Sequence, residues 1–313
     1  MKYNTTFLDT YKKYIRKGWY DTVISSPNLE RWSENFVGTP SSEDFDPLIC
    51  AHFLLNSLIF YQDKQLQAII TSIENKIKSQ INEEKEQKTG CRLSEDQLEL
   101  LWEEYKRECC IIAAASPEAT GDSAHHASRL WRNTTGIKTV SISQLVEEIV
   151  SSNKRHIIFV DDFIGTGTKM YTFLTGDLFP DKEYYGFVNV QEVINAHSAS
   201  IDFSIATFGC CEVGFNKISE EFPSVTFYYG DFYDAEYDLL SENCVLYDAF
   251  LDNKDNIISY LSDKNKELDG TNPYALNLPV AFHHGCPNNS LSLYYKSIPN
   301  WMALLPEGHP KQT

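Results

Sequence analysis

Over the first hundred positions the apolar residues recur with a helical period. Leu66, Ile69, Ile70, Ile73, Ile77 and Ile81 lie at the spacing of one face of a long helix. Ahead of them, Pro47 to Tyr61 is more evenly apolar through Leu48, Ile49, Phe53, Leu54, Leu55, Leu58 and Ile59, the pattern of a helix covered on most sides. Asp46 before Pro47 supplies a cap with proline in the first turn. Leu98, Leu101, Trp102 and Tyr105 predict a shorter third helix. The charged stretch Asn82 to Asp96, which contains Gly90, reads as a helix end and an exposed linker. Trp19, Tyr20, Trp32 and Phe36 are expected in the core of this segment rather than on a partner-binding surface.

The pattern changes at Cys109, where Cys109 to Ala115 reads as a short buried strand ending at Ser116-Pro117. A loop through Ser123 opens into a helix from Ala124 to about Asn133, and Ile137 to Ile142 alternates as a weak second strand. Ser143 caps a predicted helix from Gln144 to Ser151. Ile157 to Val160 is a strand buried on both faces, and a helix is expected from Lys169 through Leu174. Tyr184 to Val190, Ile201 to Phe208 and Val225 to Tyr229, rich in β-branched and aromatic residues, read as further strands. This alternation predicts an α/β fold, a mostly parallel sheet with helices on both faces, with its ligand outside the carboxyl ends of the strands. The expected division is a helical domain over 1–105 and an α/β domain over 106–313.

Composition narrows the class. The chain is 42% hydrophobic and 13% aromatic, ample for packed cores. It carries 27 Lys and Arg against 44 Asp and Glu, a formal charge of −17, so direct nucleic-acid binding is not expected and an anionic ligand needs a locally positive pocket. Arg129, Arg132, Lys154, Arg155 and Lys169 are the candidates nearest in sequence to the central motif. The eight cysteines include no Cys-x-x-Cys and several sit in apolar runs, as reduced core residues of a cytoplasmic protein do; no protein-held metal centre is expected. Adjacent His125 and His126 diverge by about 100° on a helix and cannot both face one ion. Neither a signal peptide nor an apolar run of membrane-spanning length is read in the sequence.

The chemistry concentrates behind the buried strand, where Asp161 and Asp162 precede the turn Gly165-Thr166-Gly167-Thr168 at a helix start. Such a turn offers unpaired backbone N–H groups beside the positive end of the helix dipole, and the two threonine hydroxyls add donors: a phosphate site. Adjacent carboxylates repel phosphate but accept hydrogen bonds from vicinal hydroxyls, such as those of a ribose. No Gly-x-x-x-x-Gly-Lys-Ser/Thr lies upstream, and position 170 is methionine rather than the third glycine of a dinucleotide fingerprint.

The twelve residues Ile157 to Thr168, Ile-Ile-Phe-Val-Asp-Asp-Phe-Ile-Gly-Thr-Gly-Thr, resemble the phosphoribosyl-pyrophosphate-binding signature of type I phosphoribosyltransferases. The resemblance implies that Asp161 and Asp162 hold the ribose hydroxyls at the reacting centre and that Phe163, Ile164, Gly165, Thr166, Gly167 and Thr168 line the 5-phosphate site. It also implies that the loop ending in Gly121, Asp122 and Ser123 meets the diphosphate, with Arg129 on the following helix as a counter-charge and Mg2+ bridging diphosphate and ribose. Only about twenty residues separate the first two strands, which leaves little room for the family's long flexible hood.

With Arg31 to Phe36 and the tail segment Leu278 to Ser290, the chain is similar to a phosphoribosyltransferase-like family of bacterial conflict and anti-phage defence loci. In that family the late turn carries a Pro-Asn-Asn segment, here Pro287, Asn288 and Asn289, which implies contacts to a base or a ribose edge. The resemblance implies an effector acting on phosphoribosyl pyrophosphate or a nucleotide at the anomeric carbon, with a protein partner. The alternative is a catalytically inactive module that senses the same ligands.

Overall fold

The computed structural model of the 313-residue chain describes residues 9–12, 24, 26–36, 45–116, 121–152, 154–177, 186–270, 272 and 274–305. Its strands are β1 Ile59–Tyr61, β2 Cys109–Ala113, β3 Thr139–Val140, β4 His156–Ile164, β5 Asp202–Cys211, β6 Thr226–Tyr233 and β7 Val280–Phe282. The helices among the described residues from Ser26 onward are α1 Ser26–Glu34, α2 Leu48–Ser57, α3 Asp63–Thr89, α4 Glu95–Glu108, α5 Ser123–Thr135, α6 Leu145–Val150, α7 Thr168–Thr175, α8 Val190–His197, α9 Glu212–Glu221 and α10 Lys254–Asp269. They fall into two compact units, Asp63–Tyr233 and Met1–Gln62 with Asp234–Thr313. This division differs from the one expected at 105/106: α3 and α4 belong with the large sheet, and the chain after Tyr233 joins the amino-terminal segment.

In the unit Asp63–Tyr233 five parallel strands stand in the order β3-β2-β4-β5-β6. Central β4 pairs with β2 from Cys109–His156 to Ala113–Val160 and with β5 from His156–Asp202 onward. Helices cover both faces, so its run from Ile157 to Val160 is apolar throughout and wholly buried. On one face Ile157, Phe159, Phe203 and Ile205 pack with Leu145 of α6, Leu174 of α7, Val193 of α8 and Ile218 of α9. Helix α3 packs against α5, β5 and β6, and buries Leu66, Ile70, Ile73 and Ile77, the stripe whose period announced the helix.

Helix α3 runs on to Thr89, through residues expected to form a linker. Its exposed last turns are polar, with contacts such as Ser79 to Glu83 and Lys88 to Glu84 at the i,i+4 spacing, so polarity there marks solvent rather than a break. The link is short, from Gly90 at φ +68° to Ser94, which forms a capping box with Gln97. The strand expected from Tyr184 to Val190 is also absent where it can be followed. Residues 184 and 185 lie outside the described set, 186–189 are irregular, and Val190 opens α8 with Asn189 as its cap. The weak strand of 137–142 is two residues long, and Ser141, with Gln144, makes the capping box expected of Ser143.

In the other unit, Leu48–Ser57 forms a helix whose residue Leu48 is bonded by the Asp46 carboxylate at 3.0 Å, but Ile59–Tyr61 leaves it as a strand paired in parallel with Val280–Phe282. Trp32 and Phe36 are buried here, and the indole of Trp32 donates to the Leu293 carbonyl at 3.1 Å. Trp19 and Tyr20 lie outside the described residues. Among the described residues no helix is long and apolar enough to cross a membrane.

Assignment of α3 to the sheet unit has a direct test. Truncating Ile70, fully buried, to alanine is expected to destabilise that unit by about 2–5 kcal/mol, whereas the exposed α4 residue Leu100 tolerates the same change within about 0.5 kcal/mol. Urea unfolding followed by far-ultraviolet circular dichroism compares the two; equal midpoints contradict the packing described.

Candidate functional site

Strand β4 carries both aspartates within it rather than beyond its end. Its pairing with β5 runs to Asp161–Thr207 and resumes at Phe163–Gly209; between them the Asp162 N–H is bonded by the Asp161 carboxylate at 3.0 Å. Ile157 and Phe159 face the same core as Ile164, so the side-chain alternation shifts by one residue where the aspartates sit. Asp161 is 1% exposed and Asp162 8%.

The two carboxylates have different surroundings. One Asp161 oxygen, Oδ1, accepts from the Lys169 ammonium at 2.8 Å, while Oδ2 is buried without a hydrogen-bond partner. Burial pushes the Asp161 carboxyl well above the usual carboxylate range; Lys169 opposes the rise and neighbouring Asp162 adds to it. The same ammonium reaches Asp122 Oδ1 at 2.7 Å, and Asp122 also caps α5 by accepting from the Ala124 N–H at 2.9 Å. Although burial alone lowers it, the Lys169 pKa is raised, because Asp161 and Asp162 attract the charge and Asp122 and Asp161 accept its hydrogen bonds. Asp162 Oδ1 accepts from the Ser123 hydroxyl at 2.7 Å. Residues Asp122, Ser123, Asp161, Asp162 and Lys169, from three elements, thus meet at the carboxyl edge of the sheet.

The Gly165–Thr168 turn follows at once. Gly167 at φ +73° is the position that precedes α7, and the Thr166 hydroxyl donates to that of Thr168 at 3.2 Å. Two residues of α9 complete it, Gly214 and Lys217. A Cβ on Gly214 would stand 2.3 Å from the Gly165 carbonyl and 2.9 Å from the Gly167 nitrogen, so only glycine lets α9 support the turn so closely. Lys217 Nζ lies 3.4 Å from Thr168 Oγ1 and 5.0 Å from the Tyr171 ring centre, a positive charge beside a helix start. Sequence reading singled out neither. The available signal was a glycine in the first turn of a helix with lysine one turn on, a pattern that pays in helix propensity for close approach.

The other predicted residues divide. Phe163 and Ile164 are buried, the Phe163 ring beside Gly209, where a Cβ would come within 2.9 Å of it; they support the turn from beneath. Gly121 is exposed at the described end of its loop, and Arg129 and Arg132 are exposed on α5. Lys154 donates to the Arg107 carbonyl at 2.5 Å and Arg155 pairs with Glu108, both ahead of β4 and so at the opposite edge of the sheet. Asn288 and Asn289 belong to the other unit, where the Asn289 amide donates to the Tyr274 carbonyl at 2.7 Å and its own carbonyl accepts from Leu276 and Leu278. Those groups shape the tail's fold.

Beside the Asp122–Ser123 turn a cleft of about 310 Å³ opens, lined by Ala115, Ser116, His125, Ser128, Ser141 and Ile142 among others. That volume is at the small end of ligand sites, and among the described residues His125 is the titratable group in its lining. The eight cysteines are free thiols, and burial pushes those of Cys110 and Cys211, next to the site strands, up to about 12. A thiol pushed up in this way is protonated at neutral pH, so Cys110 and Cys211 are poor nucleophiles.

A parallel α/β sheet with an acidic pair and a threonine-glycine phosphate turn at its carboxyl edge defines a phosphoribosyltransferase-like protein. The family model described as PRTase-CE matches residues 29–307, and the chain belongs to that family. No curated protein matches. Among solved structures the chain is similar to the AQ2163 protein from Aquifex aeolicus at 9% identity and a TM-score of 0.26, over 41% of this chain and 56% of that one. The chain thus spans a little over half the length of that protein.

The turn's dependence on Gly214 is testable. Gly214→Ala is expected to displace Gly165 and Gly167 and weaken binding of ribose 5-phosphate at least about tenfold, the equivalent of one charge-assisted hydrogen bond, with circular dichroism unchanged. Unaltered affinity in calorimetric titration contradicts a phosphate site at this turn.

Proposed function

We propose that the protein acts at the anomeric carbon of a ribose 5-phosphate, taking phosphoribosyl pyrophosphate or a nucleotide as substrate. The observation that carries the reading is the convergence of the Asp162–Ser123 pair with the glycine-threonine turn, backed by Lys217, at the carboxyl edge of one sheet. In this reading the turn's N–H groups and the Thr166 and Thr168 hydroxyls hold the 5-phosphate, and Lys217 offsets its charge. Asp162 accepts from the ribose hydroxyls. Its negative charge also stabilises the oxocarbenium-like charge that builds on the sugar as the leaving group departs. Asp161, with one oxygen on Lys169 and the other buried, acts through the alignment of its neighbour rather than on the sugar.

The donor set is hard oxygen, suited to magnesium over softer ions. Yet Asp122 and Asp161 hold an ammonium between them, so these two carboxylates do not form a cage for a resident ion. Magnesium belongs, in this proposal, to the substrate as counter-ion of its diphosphate. Among the described residues the lining of the cleft between β2, β3 and α5 is neutral apart from His125, which leaves room for a neutral base and keeps nucleotides among the candidate substrates.

A second reading retains the pocket without turnover, as a sensor of the same ligands; the short span between β2 and β3, which leaves little chain to exclude water, favours it. A role in bacterial anti-phage defence with a protein partner extends the family resemblance to this chain and is likewise proposed.

Asp162→Asn is expected to weaken phosphoribosyl pyrophosphate binding by about tenfold to a hundredfold without unfolding the protein, from the loss of charge-assisted hydrogen bonds to the ribose. Calorimetric titration in magnesium measures this, and an unchanged affinity overturns the ribose assignment. Chromatography of the wild-type mixture separates the two readings: released diphosphate or base establishes the enzyme, and binding with neither establishes the sensor.

A further inference from the structure

Lys169 stands where a helix disfavours it. It is the second residue of α7, in a first turn that holds no acidic side chain, so the positive end of the helix dipole opposes its charge. Carboxylates from two other elements hold it there: Asp161 and Asp162 from β4, and Asp122 at the cap of α5. The position is therefore one that demands a cation, and the chain supplies its own.

The oxygens that meet this ammonium are fully used. Asp161 Oδ1 accepts from Lys169 at 2.8 Å and from the Asp162 N–H at 3.0 Å. Asp122 Oδ1 accepts from Lys169 at 2.7 Å and from the Ala124 N–H at 2.9 Å. A carboxylate oxygen has two lone pairs, so neither atom keeps one for a metal ion. A divalent ion would also draw its oxygens in to about 2.0–2.6 Å, and it could reach these two only by displacing a like charge. What the ammonium leaves over lies on the same buried carboxyl. Asp161 is 1% exposed, and among the described residues its Oδ2 has no hydrogen-bond partner. That hard, buried oxygen is acceptor capacity that a single tethered ammonium does not satisfy.

We propose that the Lys169 ammonium stands in place of a divalent cation at the Asp122–Asp161 pair, a tethered counter-ion that closes these carboxylates to metal. The magnesium that the family resemblance implies is accordingly not held by these two side chains. A counter-ion on the chain does not dissociate, so the junction of β4, α5 and α7 keeps its charge balance at any free metal concentration and in the presence of a chelator. Exchanging the lysine for a neutral side chain of similar length frees one lone pair on each Oδ1 and, with Asp161 Oδ2, leaves a set of hard oxygens that takes a divalent ion. The inference goes beyond the proposed function and does not rest on it.

The experiment is a Mn2+ titration of the full chain, with the free ion followed by electron paramagnetic resonance, for wild type, Lys169→Met and Lys169→Met with Asp161→Asn. Thermal unfolding with and without the ion accompanies it. The other acidic residues are the same in all three proteins, so weak binding elsewhere on the surface cancels in the comparison. The expected result is that Lys169→Met binds Mn2+ at least about tenfold more tightly than wild type and unfolds at a higher temperature when the ion is present, while the double variant returns to the wild-type level. A single variant that folds only with the ion meets the same expectation. One that the ion neither binds more tightly nor stabilises overturns the assignment, as does wild-type protein that already binds Mn2+ as tightly as the single variant. None of these outcomes touches the ribose 5-phosphate reading, which the Asp162→Asn titration decides.

Discussion

The contact between Asp161 and Lys169 is the constraint on which the site depends. A carboxylate fully enclosed at the end of a central strand is costly to ionise, and breaking such a pair from one side costs on the order of 3–5 kcal/mol, less here because the lysine is partly exposed. The fold accepts this at a place where the backbone also departs from its ladder, with the Asp162 N–H turned to the Asp161 side chain. The pair therefore does two things at once. It holds Asp122 at the start of α5, and through Asp161 it fixes the peptide that presents Asp162 to Ser123. A hydrophobic pair could pack as well; it could not tie these two loops by charge-assisted hydrogen bonds.

Around that contact, backbone proximity sets the geometry. Gly214 lets α9 press against the carbonyl of Gly165, and the left-handed Gly167 turns the chain into α7. The Gly165–Thr168 turn is thus held between two helix starts, with the Lys217 charge beside it. A turn packed this closely has little freedom left to lose, which lowers the ordering cost of any ligand that binds it. The chain's formal charge of −17 makes the arrangement more demanding, since the pocket must reverse the sign of the field locally.

Much of this was legible in the sequence where one physical signal dominated. The helical period of Leu66 to Ile77 and the unbroken apolar run Ile157 to Val160 each reported burial directly, and β2, β4, β5 and β6 fall where the runs lie. The motif order gave the acidic pair and the turn in their correct sequence. Legibility ended where several elements had to meet. Aspartates at a strand end look alike in sequence, yet one is bound by a lysine eight residues on and the other by a serine thirty-nine residues back. Lys154 and Arg155 are near the motif in sequence but precede the strand, and a strand of nine residues carries them to its far edge. The reach of α3 to Thr89 was missed for another reason: polar last turns look like a linker when helix propensity is set aside.

The difference between the two aspartates bears on what the acidic pair is for. If both carboxylates met the sugar, two adjacent negative charges would face one ligand and each would raise the other's pKa. Here Lys169 pairs with Asp161 within the protein, so in the proposed function the sugar would meet one carboxylate, already aligned by a hydroxyl donor. On the proposed function, that would leave a single carboxylate to stabilise the cationic sugar of the transition state while lessening repulsion toward an anionic substrate. The charges are separated by position: Asp122, Asp161 and Asp162 gather around Lys169 at the sheet edge, and Lys217 stands apart beside Thr168. The arrangement follows from one lysine placed after the Gly165–Thr168 turn, which gives two adjacent aspartates different surroundings and so, in the proposed function, different parts to play.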